Sequence, residues 1–385
     1  MLNQFPLNRF ANEQTPFYYY DLELLEATLN NIKEYTNDYP FHVHYAVKAN
    51  ANDRILRTIN AAGLGVDCVS GGEVAASINA GFESNKIVFA GVGKTDREIN
   101  LALDANILCF NVESIPELEA INELAQQKGK IADIAFRVNP NVDAHTHKYI
   151  TTGLSENKFG INLEQLADVL LYAKQLKNIN VVGLHFHIGS QITILEPFKI
   201  LCEKINELQE KVRSMGFNLK IINVGGGYGV DYDNPDENPI PDFKAYFDVF
   251  KNNLKLYDNQ EVHFELGRAI VAQCGSLITR VTYVKKGTAK QFIITDAGMT
   301  DLIRPALYQA HHKIENITST EKDTEVYDVV GPICESSDCF GENEVLPITK
   351  RGDLLALRTA GAYGEIMASR YNLRALPSII YSKID

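Results

Sequence analysis

The run Tyr45-Ala46-Val47-Lys48-Ala49-Asn50 ends an apolar, strand-like stretch on a lysine. Such a lysine either snorkels, with its head in water, or sits partly desolvated. Desolvation makes an amine a nucleophile toward carbonyl carbon. A Schiff-base role follows where a carbonyl compound is held nearby. Gly225-Gly226-Gly227-Tyr228-Gly229 is either a flexible turn or a row of backbone N–H groups that can cradle phosphate. Ser190 offers a hydroxyl and Arg268 a charge to the same end of a ligand. Glu265 lies in the apolar run His263–Arg268, where burying an acid is costly unless it is paired. Its partner is either Arg268 or the ring nitrogen of a pyridine. A carboxylate there keeps the nitrogen protonated and makes the ring an electron sink. His187 is either a flat ring to stack on such a cofactor or a satisfied core histidine.

Further along, Arg304-Pro305-Ala306-Leu307-Tyr308, Cys334-Glu335-Ser336-Ser337-Asp338 and Gly361-Ala362-Tyr363-Gly364 are turns with a few polar residues. Acids beside the Cys334 thiol favour its protonated form, which suits a proton donor better than a nucleophile.

These residues need elements to place them. Short β-branched runs recur at His42–Lys48, Gly65–Ser70, Lys86–Gly91, Leu108–Glu113, Ile134–Asn139, Val181–Ser190, Ile221–Gly227 and His263–Arg268. Between most of them lie stretches with helical spacing, such as Glu73–Ala80 and Leu166–Leu176. Strands alternating with helices imply a parallel sheet, and eight units imply a closed (β/α)8 barrel rather than an open doubly wound sheet. In a barrel the chemistry sits where strands end. Those ends deliver Lys48, Asp67, Arg137, Asn139, His187, Ser190, the glycine run, Glu265, Gly267 and Arg268. From about Cys274 the rhythm changes to Ser276–Val284, Gln291–Asp296, Glu325–Val330, Asp353–Ala360 and Ser378–Ser382, an expected antiparallel β-domain to which the strand-like Phe17–Tyr20 is added. The expected domains are therefore a barrel over 22–268 and a β-domain over 269–385 with 1–21. Asp231–Pro241 is expected to be an exposed loop.

The 385 residues suit two domains, and 45% apolar with 22% charged residues is a globular composition. A net charge of −12 disfavours nucleic acid and anionic membrane surfaces. No apolar stretch is long enough to span a membrane, and the start lacks a signal-peptide pattern. Six scattered cysteines, without CxxC pairs, point to reduced thiols and a cytoplasmic protein.

Taken in order, Tyr45–Asn50, Gly71-Gly72-Glu73, His187–Gln191, Gly225–Gly229, Glu265–Arg268, Arg304–Tyr308, Cys334–Asp338 and Gly361-Ala362-Tyr363 resemble the alanine-racemase-like, fold type III pyridoxal 5'-phosphate (PLP) enzymes. Within these the chain is similar to the branch that decarboxylates meso-2,6-diaminopimelate to L-lysine and CO2, the last step of lysine biosynthesis. The resemblance implies that Lys48 carries PLP in a Schiff base, with Asp67 close by. It implies that His187 stacks on the ring and Glu265 meets the pyridinium. Ser190, Gly226, Gly227, Gly267 and Arg268 would lie around the phosphate end, and Tyr363 near the cofactor. Arg268, Arg304, Tyr308, Glu335 and Tyr363 would contact substrate. Cys334 would protonate the carbanion left by CO2 loss, and would come from the partner subunit of a homodimer. Leu266 departs from the family's usual proline, which leaves that backbone freer and adds an N–H.

Sibling decarboxylases of ornithine, arginine or carboxynorspermidine are the nearest rivals; their substrates lack the same distal zwitterion. A non-catalytic PLP-binding homologue is a further alternative. A metal-dependent hydrolase would use His42/His44 or His185/His187, which have strand spacing. His42 and His44 stand at the start of the first strand, away from the mouth, and no metal is expected.

Overall fold

The computed structural model describes residues 5–142 and 158–383. It divides into two compact units, one made of 29–229 and 242–267, the other of 1–28, 230–241 and 268–385. The loop 230–241 therefore groups with the β-rich unit, although its place in the sequence is between two barrel strands.

In chain order, Phe17–Tyr20 is β1, and the barrel strands follow as Phe41–Ala46 (β2), Gly65–Cys68 (β3), Ile87–Phe89 (β4), Cys109–Val112 (β5) and Ala132–Asn139 (β6). After the two-residue Ile161–Asn162 (β7) come Ile179–His185 (β8), Ile221–Asn223 (β9) and Glu261–Leu266 (β10). The hydrogen-bonded order β5-β4-β3-β2-β10-β9-β8-β6 closes through β5–β6, and every pairing is parallel. This is the eight-stranded barrel expected from the βα rhythm, with β7 added beside β6.

The βα connections are built on capping residues. Asn52 accepts from the N–H groups of Arg54 and Ile55 to open the helix Asp53–Ala61, and Ser70 accepts from Glu73 to open Gly71–Asn79. Thr95 and Glu98 form a reciprocal box at the start of Asp96–Ala105. Each satisfies N–H groups that a helix start leaves orphaned. Alternation along the strands sorts side chains: Phe41 and Phe264 pack outward on Phe247, and Phe264 also on Phe250, of the helix Phe243–Asn253. The residues between them, His42, His44, Glu261, His263 and Glu265, fall on the opposite, inward face.

Strand ends lie earlier than the apolar runs suggest. Lys48 sits in a single turn of 3-10 helix, Val47–Ala49, just beyond β2, and Arg268 opens a short helix, Arg268–Val271. His187 and Ser190 follow β8 rather than lying in it. Leu266 is buried as the last residue of β10, in register with Tyr45, so the strand runs unbroken through the position where proline was expected.

The second unit holds β1 with Gly275–Lys286 (β11), Gln291–Thr295 (β12), Ile314–Asn316 (β13), Thr324–Val330 (β14), Cys339–Pro347 (β15), Leu354–Leu357 (β16) and Ser378–Tyr381 (β17). Its sheet runs β13-β16-β11-β12-β14-β15, with β1 between β11 and β17. It is mostly antiparallel, but β12–β14 and β1–β17 are parallel. Phe10, Phe17, Tyr19, Ile278, Leu354, Ala356 and Ile380 form a buried core, with Phe10 edge-on to Phe17 and Tyr19 at 5.0 and 5.1 Å. Among the described residues, no helix is long and apolar enough to cross a membrane, and all six cysteines are free thiols.

Candidate active site

Lys48 and Asp67 leave neighbouring barrel strands and meet: Lys48 Nζ donates to Asp67 Oδ2 at 2.9 Å. The lysine side chain is 39% exposed and the aspartate 1%. Burial pushes the Asp67 carboxyl up, the charge of Glu265 pushes it further and Lys48 pulls it back, leaving it at about 6. Asp67 Oδ1 is buried and accepts no hydrogen bond.

Glu265 is enclosed by three donors from three other strands. Asn111 Nδ2 of β5 and Asn223 Nδ2 of β9 donate to Oε1 at 2.9 and 2.7 Å. His185 Nε2 of β8 lies 2.9 Å from Oε2. Burial alone would raise this carboxyl, but His185, then Lys48 and His187, outweigh it and hold it well below the usual carboxylate range. The partners are thus two amides and a histidine, not the Arg268 pairing weighed from the sequence. His187 is kept neutral, chiefly by burial and then by the charges of Arg137 and Lys48. Its Nδ1 accepts from the Gly226 N–H at 3.3 Å.

The glycine run after β9 has no room for side chains. A Cβ on Gly225 would stand 2.1 Å from the Phe186 carbonyl oxygen, and one on Gly226 would stand 1.8 Å from that of Glu265. Gly227, at φ +104°, would meet the Gly189 carbonyl oxygen at 2.5 Å. Reciprocal backbone bonds between Ile192 and Gly227–Gly229 tie this run to the loop that carries Ser190. Gly267 packs with its Cα facing the Ala46 and Ala49 methyls, next to Lys48 in the chain.

The β-rich unit gathers a second cluster. Arg268 donates to Tyr232 Oη at 2.5 Å, and its guanidinium lies 4.9 Å from the Tyr363 ring. Arg304 opens the short helix Arg304–Tyr308, is 5% exposed, and lies 4.9 Å from the other ring, that of Tyr232. Its Nη1 meets His312 Nε2 at 2.9 Å, while His312 Nδ1 faces the Arg358 carbonyl oxygen at 2.8 Å. Burial, then the Arg304 charge, hold His312 down at about 3, so it accepts from Arg304 as a neutral ring. Tyr308 is half-buried at the end of the same helix, and Tyr363 is held at φ +57°.

Cys334, Glu335, Ser336 and Ser337 are all exposed. Asp338, from the same motif, is buried and braces this loop from below: its carboxylate accepts from the N–H groups of Met299 and Ile333, both at 2.6 Å. Glu335 accepts from Tyr371 Oη at 2.6 Å. Arg137, counted from the sequence among the strand-end groups, pairs instead with Glu113 at 3.0 Å.

Sequence reasoning missed Asn111, Asn223, Tyr232 and His312, and noted His185 only as a potential metal ligand. The signal for Asn111 and Asn223 was present: each is an amide inside a short, otherwise apolar strand, where a buried polar group needs a partner. Tyr232 carried none, since it lies in a segment that reads as a surface loop.

Residues 23–272 match the model of the family described as pyridoxal-dependent decarboxylase, pyridoxal binding domain. The chain is 60% identical over 374 residues to the diaminopimelate decarboxylase of Bacteroides thetaiotaomicron, covering 97% of both chains. It is 44% identical to that of Vibrio cholerae, covering 96% of this chain and 88% of the relative. The crystal structure of diaminopimelate decarboxylase from Helicobacter pylori complexed with L-lysine superposes with a TM-score of 0.93 at 41% identity, covering 98% of this chain and 94% of that one. The residues present fit pyridoxal phosphate: a lysine amine, an acid held ionised in the barrel, and a glycine backbone whose crowding admits no side chain. The chain belongs to the pyridoxal-dependent decarboxylase family.

Proposed function

We propose that this protein decarboxylates meso-2,6-diaminopimelate to L-lysine and CO2 with PLP as cofactor, the last step of lysine biosynthesis. The family and the names of the full-length relatives support the reaction. The observation that carries the choice of substrate is the burial of Arg304 against neutral groups. Among the described residues, no carboxylate pairs with it. A guanidinium buried beside His312 and Tyr232, with Arg268 on the same tyrosine, is a site made for an anion. The distal carboxylate of diaminopimelate supplies one; ornithine and arginine have none.

Bound in the barrel, PLP supplies the electron sink that accepts the pair left when the α-carboxylate departs. Lys48 would hold the cofactor through Nζ. Asp67 keeps the Lys48 amine oriented through its 2.9 Å contact. Glu265, kept ionised by its three donors, holds a proton at the pyridine nitrogen. His187, kept neutral, supplies a flat face to the ring without competing for that proton. The Gly227 N–H would bind phosphate, with Ser190, Gly267 and Arg268 around it, while the Gly226 N–H stays on His187 and orients that ring. Arg304, Arg268 and Tyr308 take the distal carboxylate by charge-assisted bonds, Glu335 the distal ammonium, and Tyr363 packs beside Arg268. Cys334 Sγ delivers the proton to the substrate carbon. Its exposure in the single chain, together with that of Glu335, fits a homodimer in which the partner subunit's loop completes each site, in a cytoplasmic enzyme.

Purified protein supplied with PLP and meso-diaminopimelate, ornithine, arginine or carboxynorspermidine tests this by the amine and CO2 released. Lysine from diaminopimelate alone is expected. Turnover of a substrate without a distal carboxylate overturns the assignment of Arg304.

A further inference from the structure

At the opposite end of the barrel from Lys48, the first residues of β2 and β10 bring two imidazoles and a carboxylate together. His42 and His263 are direct neighbours in the parallel ladder, with rings 5.1 Å apart. Glu261, two residues before His263, lies on the same inward face. Glu261 Oε2 is 3.5 Å from His263 Nε2 and 3.9 Å from His42 Nε2, and the three donor atoms all lie within 4.8 Å of one another. Lys220 stands 3.4 Å from the other oxygen, Oε1.

The behaviour of His263 is the second observation. Its side chain is 2% exposed, and Nε2 makes no hydrogen bond. Its other nitrogen, Nδ1, is 2.9 Å from His44 Nε2, and His44 Nδ1 is 3.2 Å from the Lys86 carbonyl oxygen. A carbonyl only accepts, so His44 carries its proton on Nδ1. With neutral rings the chain then has one sense: His263 Nδ1–H donates to His44 Nε2, and His263 Nε2 bears a lone pair. That nitrogen is buried and faces the Glu261 carboxylate at 3.5 Å; a second ring proton or a shared cation satisfies both groups, and three ligand atoms within 4.8 Å of one another admit the cation. Gly65 makes the arrangement possible, since a Cβ there would stand 2.5 Å from His44 Nδ1.

We propose that His42 Nε2, Glu261 and His263 Nε2 form a binding site for a late first-row divalent cation, zinc being the type, at the floor of the barrel. The donor set suits that class: two imidazoles and a carboxylate, with a fourth position left to water. His44 and the Lys86 carbonyl are the outer partners that fix the His263 ring, as backbone carbonyls do for metal-bound histidines. His42 is 52% exposed, so its ring is free to turn inward and shorten the ligand separations. The ion would clasp β2 to β10, the strands whose far ends lead to Lys48 and carry Glu265. It takes no part in the decarboxylation and stands independently of that proposal.

The test uses chelator-treated holoenzyme titrated with Zn2+ against a chromophoric chelator, with Co2+ as a spectroscopic probe. One tight equivalent per chain is expected, with visible Co2+ ligand-field bands and a raised unfolding midpoint, because the ion binds only the folded state. His42→Ala and Glu261→Gln, both at the partly exposed rim, should weaken binding at least about tenfold while leaving decarboxylase activity intact. No uptake by the wild-type protein overturns the proposal, and so does equal uptake by both variants, which would place the ion elsewhere, for instance at Cys334.

Discussion

Asp67 offers one carboxylate oxygen to Lys48 at 2.9 Å and keeps the other buried with no hydrogen-bond donor. The pair joins the ends of adjacent strands, β2 and β3. The sign of its pH dependence follows from the raised carboxyl, about 6 in the folded protein against about 3.9 in an unfolded chain. A raised carboxyl favours the folded state when protonated. That contribution is complete below pH ~4 and is lost as pH rises through the folded value. In cofactor-stripped protein, Asp67→Asn should therefore gain stability relative to wild type as pH rises through this window. Urea midpoints across the window measure it, and a difference independent of pH overturns the assignment.

Glu265 is held ionised because Asn111, Asn223 and His185 spend their donors on it. Glu265→Gln keeps the shape but removes the charge that would hold a proton at the ring nitrogen. We expect kcat to fall by about two to three orders of magnitude, the usual cost of removing one preorganised electrostatic group. The cofactor should remain bound. Steady-state rates beside the bound-PLP absorbance check both halves; near-normal turnover would remove Glu265 from the electron-sink role.

The barrel was legible because eight β-branched runs alternate with helical spacing, and strand number decides closure. What misled was the ends. Apolar alternation continues through Lys48, Ser190 and Arg268, but ladder pairing stops at Ala46, His185 and Leu266, since pairing depends on the neighbouring strand. β15 was missed for a related reason. Its run Gly341-Glu342-Asn343-Glu344 looks like a turn, yet it lies at a sheet edge, where polar side chains face water and register shifts beside Asn343, at φ +58°, are tolerated. The candidate residues were legible where a lysine or an acid stands at the end of an apolar run, as for Lys48 and Glu265. Tyr232 and His312 were not, because their meaning comes only from Arg268 and Arg304 packing on them.

Gly226→Ala tests the cradle. Its Cβ would stand 1.8 Å from the Glu265 carbonyl oxygen, so the backbone must shift at the Glu265 peptide and beside the Gly227 N–H proposed for the phosphate. Overpacking of this kind costs about 1–3 kcal/mol. We expect a lower unfolding midpoint and weaker PLP binding together, read by thermal unfolding and cofactor titration. Unchanged PLP affinity would place the phosphate away from this run.

Arg304→Lys keeps a positive charge and loses the planar fork that reads a carboxylate with two bonds. Charge-assisted bonds contribute about 1.5–3 kcal/mol each, so KM for diaminopimelate should rise about 10- to 100-fold. The kcat should change far less, because the distal end does not react. A variant with unchanged KM would show that the anion site around Tyr232 is not the substrate's.

Cys334 is exposed in the single chain, while Lys48 lies at a barrel strand end. If each site draws its proton donor from the partner subunit, neither residue acts alone. Cys334→Ala should fold and bind PLP normally, because the loop is braced by Asp338 and not by the thiol. Its turnover should drop by about 10²–10⁴, the usual share of a positioned acid. Lys48→Ala should lose the covalent cofactor absorbance and nearly all activity. Mixed as equal amounts of unfolded chain and refolded with PLP, the two inactive variants should recover about a quarter of wild-type activity. The factor follows from symmetry, since half of randomly paired dimers are hybrids and each hybrid has one site free of both substitutions. Zero recovery, with hybrid dimers demonstrated by a tagged subunit, would mean that Lys48 and Cys334 act within one chain.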